Sequence, residues 1–370
     1  MMNSLKKILP RHLHRLLSNL RAKHRRSYIQ HGNNSFINLD SDKTFVMIVG
    51  STYDERRPDA MLVARKGYIN AFIKMGISSV IIDIKDIEKA LPKINNPFCM
   101  LYSSDLEPLT SSTIKILRDT PLAIWVHPWF TDSDTFFFQN SLDKNLWYTS
   151  KRTKDNILSL NPKFIFSATL ESGAEFFSEW VRNGLPFYSF PLACDTTRYN
   201  NTIMPSKIYE NIKLAFVGGY WSSKGVQIDA YLREFEDQLT VFGYNKWPYA
   251  NYGGQIDDLE EPKLYASAAI CPVINEPSVS LLHGQINERV FKVLGSGGFP
   301  IVDSVWQYRT LFNEDELVIS ENKTDFKDKV HYFLEHPHER EKYITRGRMA
   351  VFSRHTYLQR AELFLKKIYE

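Results

Sequence analysis

The residues able to do chemistry cluster in short runs directly behind apolar segments. In "FVGGYWSSKG" (216–225), Gly218 and Gly219 follow an apolar run and Lys224 precedes a helix-like one. Glycines let a backbone approach a phosphate closely, and a lysine beside a helix N-terminus supplies positive potential. The run matches neither a P-loop nor G-x-G-x-x-G, and a plain strand-to-helix turn reads the same way. A second run, "NERVFKVLGSGGFPIVD" (287–303), opens with Asn287, Glu288 and Arg289 and carries Lys292. A carboxylate at a helix start can grip ribose hydroxyls, and a guanidinium next to it can pair with phosphate. Glu288 alone would also suit the positive end of a helix, whereas Arg289 and Lys292 would not. The preceding "SVSLLHGQ" places His283 in a loop that could face a cleft.

The first half of the chain offers two further groups. "GSTYDERRPDA" (50–60) crowds Asp54, Glu55, Arg56 and Arg57 into a loop that could contact an acceptor or supply a base, or simply be solvated. "IWVHPWFTDSD" (124–134) puts His127 at the end of a buried segment, as an active-site residue or a structural histidine. Asp132 and Asp134 form a D-x-D that could hold a metal on a nucleotide diphosphate. Asp40 and Asp42 make another such pair, so the motif arises readily by chance, and neither a metal nor a cofactor is expected.

These groups need elements to position them. "TFVMIVGS", "ARKGYINAFIKMGI" (64–77) and "SSVIIDI" read as strand, helix and strand. The alternation continues through "FCMLYSS", a helix around 113–118, "LAIWVHP", a helix across 142–160, "FIFSAT", a helix across 173–183 and "FYSFPLA". After a linker-like "NTIMPSKIYEN" it restarts with "IKLAFVGG", "GVQIDAYLREFED", "LTVFGY", "EPKLYASA" and "ICPVI". The charged helix, "ELVIS" and helices over 324–335, 338–349 and 355–369 follow. The pattern predicts an α/β fold of two Rossmann-like, doubly wound parallel domains. The expected division is a basic N-terminal segment (1–40), a first domain (41–205), a second domain (206–352) and a last helix (353–370).

Composition narrows the class. With 370 residues, 43% of them apolar and 14% aromatic, the chain has material for two cores. No run of about 18 uncharged apolar residues is present, so no transmembrane helix is expected. The three cysteines stand far apart and read as reduced thiols. The net charge of +4 belongs to the N-terminus: residues 1–30 hold eight of the 46 basic residues and no acid, leaving 38 against 42 acidic ones. "LKKILPRHLHRLLSNLRAKHRR" sets leucines on one helical face and cations on the other. Such a helix can lie on an anionic membrane or pack on its own protein. It lacks a signal peptide's apolar core and cleavage site, so a cytoplasmic chain is expected, peripheral on the inner face of a membrane if this helix binds there rather than to its own protein. No basic patch recurs in the body, so nucleic acid is not an expected partner.

Two Rossmann-like halves, a phosphate-type loop and a charged helix together resemble a GT-B glycosyltransferase, and most of all the CgeB-like (spore-maturation-protein) group. "GQINERVFKVLGSGGFPIVD" is similar to that group's Asn-x-Arg-x-Phe signature ending in Gly-Gly, and "VGGYWSSKG" to the Gly-x(n)-Lys-Gly loop of the wider clan. The resemblance is close over 205–370 and loose before it. It implies two domains facing a cleft, with the last helix crossing back to the first domain. One position departs: the clan's ribose-binding glutamate, five residues before the glycine, is here Lys292. Glu288 and Arg289, nine and eight residues before it, resemble instead the nucleotide-binding segment of α-1,3-fucosyltransferases.

The resemblance implies transfer of a sugar from a nucleotide-sugar donor to a glycan or lipid-linked acceptor without a metal. Gly218, Gly219, Lys224, His283, Asn287, Glu288 and Arg289 would bind the donor. Asp54, Glu55 and His127 would face the acceptor, one of them serving as base if configuration inverts. Bacterial surface polysaccharide or glycoconjugate assembly is the expected setting. A sugar-nucleotide epimerase of similar fold, a non-catalytic nucleotide- or carbohydrate-binding protein and a metal-dependent GT-A transferase are the alternatives.

Overall fold

The computed structural model describes residues 42–55, 59–106, 109–129, 149–280 and 282–370. The basic N-terminal segment, Arg56, Arg57, the Asp132/Asp134 pair and the first part of the helix expected over 142–160 lie outside them.

The first half is one parallel sheet of β1 (Thr44–Val49), β2 (Ser78–Asp83), β3 (Pro97–Tyr102), β4 (Leu122–Trp125), β5 (Phe164–Ser167) and β6 (Phe187–Ser189). Its order is β2-β1-β3-β4-β5-β6. Helices α1 (Ala60–Lys74), α2 (Ile87–Ala90), α3 (Ser111–Arg118), α4 (Lys151–Leu160) and α5 (Ser178–Arg182) connect the strands. The inner strands β1, β3, β4 and β5 are largely buried and almost wholly apolar because helices cover both faces, whereas the edge strand β2 is largely exposed. Phe45, Met47, Phe98, Met100, Phe164 and Phe166 point to one side. Val46, Ile48, Cys99, Leu101 and Ile165 point to the other.

The second half holds β7 (Leu214–Val217), α6 (Ser222–Leu232), β8 (Leu239–Phe242), α7 (Glu261–Ser267), β9 (Cys271–Val273), α8 (Arg289–Ser296), β10 (Pro300–Val302) and β11 (Val318–Ile319). α9 (Lys323–Glu335), α10 (Pro337–Arg354) and α11 (Tyr357–Tyr369) close the chain. β8 pairs with β7, and β9, β10 and β11 pair in turn. A bridge from Leu214 to Ile270, with the Ala215 amide donating to Ile270 O at 3.0 Å, joins the two sets as β8-β7-β9-β10-β11. Strand order thus reverses between β1 and β3 in one sheet and between β7 and β9 in the other. Open α/β sheets take ligands outside the carboxyl ends of the strands at such points.

Of the differences from the sequence reading, two bear on the loops of the first domain. α1 begins at Ala60 rather than 64, because the Asp59 carboxylate accepts from the Leu62 amide at 2.8 Å and caps it. The helix expected over 173–183 is a 3-10 turn (Glu171–Phe177) followed only by the short α5. Its entry is held by the other half of the chain, where the Leu170 amide donates to Gly284 O at 2.8 Å.

α11 crosses back to the first domain. The Cys194 amide donates to His355 O (2.8 Å) and the Tyr357 amide to Cys194 O (3.0 Å), fixing the crossing point. Thr356 and Gln359 form a capping box that starts the helix. α11 lies against α1 at Gly67, where an added Cβ would stand 2.2 Å from Tyr357 Cδ2. Its Phe364 enters the aromatic side of the first sheet, so one hydrophobic core runs through both halves.

The crossing also carries a pH dependence. His355 is buried, with Nε2 against Leu311 O at 3.0 Å and Nδ1 without a partner. Burial, aided by Arg360 and Arg354, holds its pKa at about 4 against the opposing Leu311 bond. Folding lowers this pKa from 6.5, so the unfolded chain takes up the proton first. The stability it contributes is complete above about pH 6.5 and is lost as pH falls towards 4. His355→Gln, which keeps a donor for Leu311 O, is expected to flatten the dependence of Tm on pH across that window. Thermal melts at a series of pH values check it.

Candidate functional site

The second domain gathers the largest group of predicted residues. Gly218 and Gly219 lie directly beyond β7, and the loop they open is fixed from β8. The Gly218 amide donates to Phe242 O (2.9 Å) and Trp247 Nε1 donates to Gly218 O (3.0 Å). Arg289, the first residue of α8, reaches over this loop. It is 5% exposed, its Nε donates to Val217 O at 2.9 Å, and its guanidinium stacks on Phe216 at 4.2 Å. Nη1 is buried without a hydrogen-bond partner. A Cβ at position 218 would stand 2.8 Å from Nη2, so glycine there makes room for the guanidinium.

Lys224 is a second buried cation, 3% exposed, paired with Glu276 and over the Trp221 ring at 4.7 Å. Burial lowers its pKa, Arg289 lowers it further, and Glu276 and Glu288 oppose both. Two buried positive groups so placed favour an anion with more than one charge.

Asn287 sets the start of α8. Its Oδ1 accepts from the Arg289 amide at 3.0 Å, and its own amide donates to Tyr308 OH at 2.8 Å. The Tyr308 hydroxyl donates to Asn275 Oδ1 (3.0 Å), and Asn275 Nδ2 donates to Asp303 Oδ1 (2.6 Å). This chain of bonds ties α8 to the ends of β9 and β10. The Asp303 carboxyl is pushed up to about 6 by burial, against hydrogen bonds from Asn275 and Gln227. A pocket of about 610 Å³ opens here, lined by Gln227, Asn275, Glu276, Asp303, the exposed Trp306 and His283 among others.

The Glu288 carboxylate lies 3.5 Å from Lys292 Nζ. Lys292 is itself buried and stands 3.5 Å from Glu261 Oε1. Glu261 pairs also with Arg198 and accepts from Tyr199 OH (2.8 Å) and Tyr265 OH (2.9 Å). Burial would raise the Glu261 pKa, but Lys292, Arg198 and the two hydroxyls outweigh it and bring it to about 2. Lys292 therefore closes an ion network between α7 and α8.

In the first domain, Asp54, Glu55 and His127 sit at the carboxyl edge of the sheet. Glu55 is exposed and accepts from Tyr53 OH at 3.1 Å; Asp54 is half-buried beside it. His127 Nε2 lies 2.6 Å from Tyr102 OH and 3.1 Å from Ser104 Oγ, and burial lowers its pKa to about 4. The loop carrying Asp54 is held by a buried pair: Arg65 Nη2 donates to Asp105 Oδ2 at 2.9 Å, and Asp105 Oδ1 accepts from the Thr52 amide and hydroxyl. His283 reaches the pocket from the loop before α8. Its Nε2 meets Glu175 Oε1 at 2.5 Å across the two halves, with its ring edge-on to Phe176.

Sequence reasoning missed Asn275, Glu276 and Asp303 in the second domain, and Arg65 and Asp105 in the first. Asn275, Glu276 and Asp303 follow "ICPVI" and "FPIV" closely, so the same after-strand rule would have found them. Nothing in the helical surroundings of Arg65 signals its role. Among the described residues no three His, Cys, Asp or Glu side chains group to hold a metal, and no helix is long and apolar enough to cross a membrane.

Residues 227–366 match the family described as glycosyl transferase-like. No curated protein matches the chain. Among solved structures, a mutant of T4 phage BGT in complex with UDP-glucose is similar at 11% identity, over 88% of this chain and 99% of that one, with TM-score 0.56. Sucrose-phosphate synthase from Thermosynechococcus elongatus is similar at 11% identity, over 88% and 98%, with TM-score 0.58. Anabaena Alr3699/HepE with UDP and glucose is similar at 10% identity, over 88% and 99%, with TM-score 0.53. The fold is GT-B. In this GT-B chain the Arg289 group and the His127 group occupy the strand ends of different domains.

Proposed function

We propose that the chain is a glycosyltransferase that moves a sugar from a nucleotide-sugar donor to a glycan or lipid-linked acceptor. The observation that carries this is Arg289: a buried guanidinium with an unpartnered Nη1, over a glycine loop, near a second buried cation. An unpaired buried donor is costly unless a ligand completes it. A diphosphate suits two cations in this position. Structures of similar fold solved with UDP or UDP-glucose support a nucleotide sugar as its source.

In this reading Arg289 and Lys224 neutralise the charge that grows on the departing diphosphate, and no metal is needed. Glu288 takes the ribose or the sugar, with Gly218, Gly219, Asn287 and His283 shaping the donor site. The acceptor lies on the first domain, near Asp54, Glu55 and His127. For an inverting reaction one of these is the base, and His127 is held in the unprotonated form at pH 7. The spacing of Asn287, Arg289, Phe291 and Gly297-Gly298 supports placement in the CgeB-like group. The basic residues 1–30 suit work at the inner face of a membrane, in surface polysaccharide or glycoconjugate assembly.

The test is thermal stabilisation by UDP, GDP, CMP and dTDP, with and without EDTA. One of them is expected to raise Tm, with the rise surviving EDTA; at a hundred times Kd it corresponds to about 2.7 kcal/mol. No response to any of the four would refute the donor site. Conversion of a nucleotide sugar without acceptor would replace transfer by epimerisation.

A further inference from the structure

Lys224 does not stand open to the pocket. Its side chain is almost fully buried, and its ammonium pairs with Glu276, which follows β9 and lines the pocket. Glu276 is different: about a third of its side chain is exposed, so it has room to turn into the pocket while Lys224 does not. Lys224 and Glu276 belong to different elements, α6 and the segment after β9. Glu276 lines the pocket and Lys224 does not, so a diphosphate entering from the pocket meets the carboxylate on its way to Lys224.

We infer that Glu276 is an internal competitor of the donor: its carboxylate occupies Lys224 before the donor arrives and yields that place to the diphosphate. The inference rests on the donor-site reading above. Two consequences follow from the charges. Before binding, Glu276 relieves the repulsion between Lys224 and Arg289 that burial makes costly. During binding it opposes the incoming phosphates, so the site discriminates against singly charged anions, which cannot draw on both cations. After the sugar has left, the carboxylate is positioned to retake Lys224 and help expel the nucleoside diphosphate.

The test is Glu276→Gln, which keeps a polar group near Lys224 and removes the charge. Titration calorimetry would measure binding of UDP, GDP and dTDP, and of uridine, guanosine and thymidine, to wild type and variant. The diphosphate that wild type prefers is expected to bind the variant about tenfold tighter, as for one opposing charge a few ångströms away in a screened site. Its nucleoside is expected to bind both proteins equally. Glu276→Asp, which keeps the charge, is expected to show no such gain and separates charge from folding defects. Unchanged or weaker diphosphate binding by Glu276→Gln, with wild type binding normally, overturns the inference alone. An equal change for nucleoside and diphosphate also overturns it, placing Glu276 on the ribose or base. If wild type binds none of the diphosphates, the donor-site reading falls and takes this inference with it.

Discussion

Arg289→Ala is expected to lower kcat/KM by at least about a hundredfold and to abolish stabilisation by the preferred nucleotide. The guanidinium is fixed by Val217 O on one edge and by the Phe216 ring on one face, so it stays in place before ligand arrives. Such a group stabilises developing charge without reorganising, and its loss removes both binding and transition-state stabilisation. Arg289→Lys is not expected to rescue. A lysine cannot hold the Val217 carbonyl and also present a second donor in the plane where Nη1 now lies. Gly218→Ala probes the same geometry from the other side, since its Cβ would press on Nη2 at 2.8 Å and on Phe216 Cε1 at 3.0 Å. Steady-state kinetics with the identified donor, beside nucleotide melts, check these outcomes; unaltered kinetics in Arg289→Ala would sink its assignment.

Phe364→Ala is expected to cost about 3–5 kcal/mol of stability. The residue is fully buried, and its ring centroid lies 5.3 Å from that of Phe164 and 5.9 Å from those of Phe72 and Phe166. Tyr68, Phe45, Phe98 and Phe190 complete the surround. These rings come from α1 and the first sheet, while Phe364 arrives from the end of the chain. Truncation leaves a cavity that neighbours from a rigid sheet cannot fill, and it loosens the crossing helix. Because one core spans both halves, the first domain is expected to lose stability although the substitution lies outside it. Chemical denaturation followed by tryptophan fluorescence measures the loss. A change below about 1 kcal/mol would mean that α11 is dispensable to the first domain.

The halves of the fold were legible because apolar runs alternate with amphipathic ones at βαβ spacing, and a strand buried on both faces has to be continuously apolar. The strand order was not. Nothing local distinguishes a strand that pairs with its predecessor from one that crosses to the far side of the first. Pairing Leu214 with Ile270 is a contact between residues far apart in the chain. Element types followed the same division. The strand "FCMLYSS" could be read from its own residues, whereas the 3-10 turn at Glu171–Phe177 depends on a loop more than a hundred residues further on.

For the site, the sequence by itself determined the residue types: glycines and cations after β7, and the Asn287–Arg289 run at a helix start. It also showed that the lysine at 292 departs from the pattern the resemblance implies. Only the tertiary structure decided what each charge faces. Arg289 and Lys292 stand three residues apart on one helix, yet one keeps an unpartnered donor beside a glycine loop and the other is consumed by Glu261 and Glu288. A side chain's type fixes the charge it can carry. Whether that charge is free for a ligand depends on the counter-charges that distant strands and helices bring within reach. Those partners, Glu276 for Lys224 and Glu261 for Lys292, lie 52 and 31 residues away along the chain.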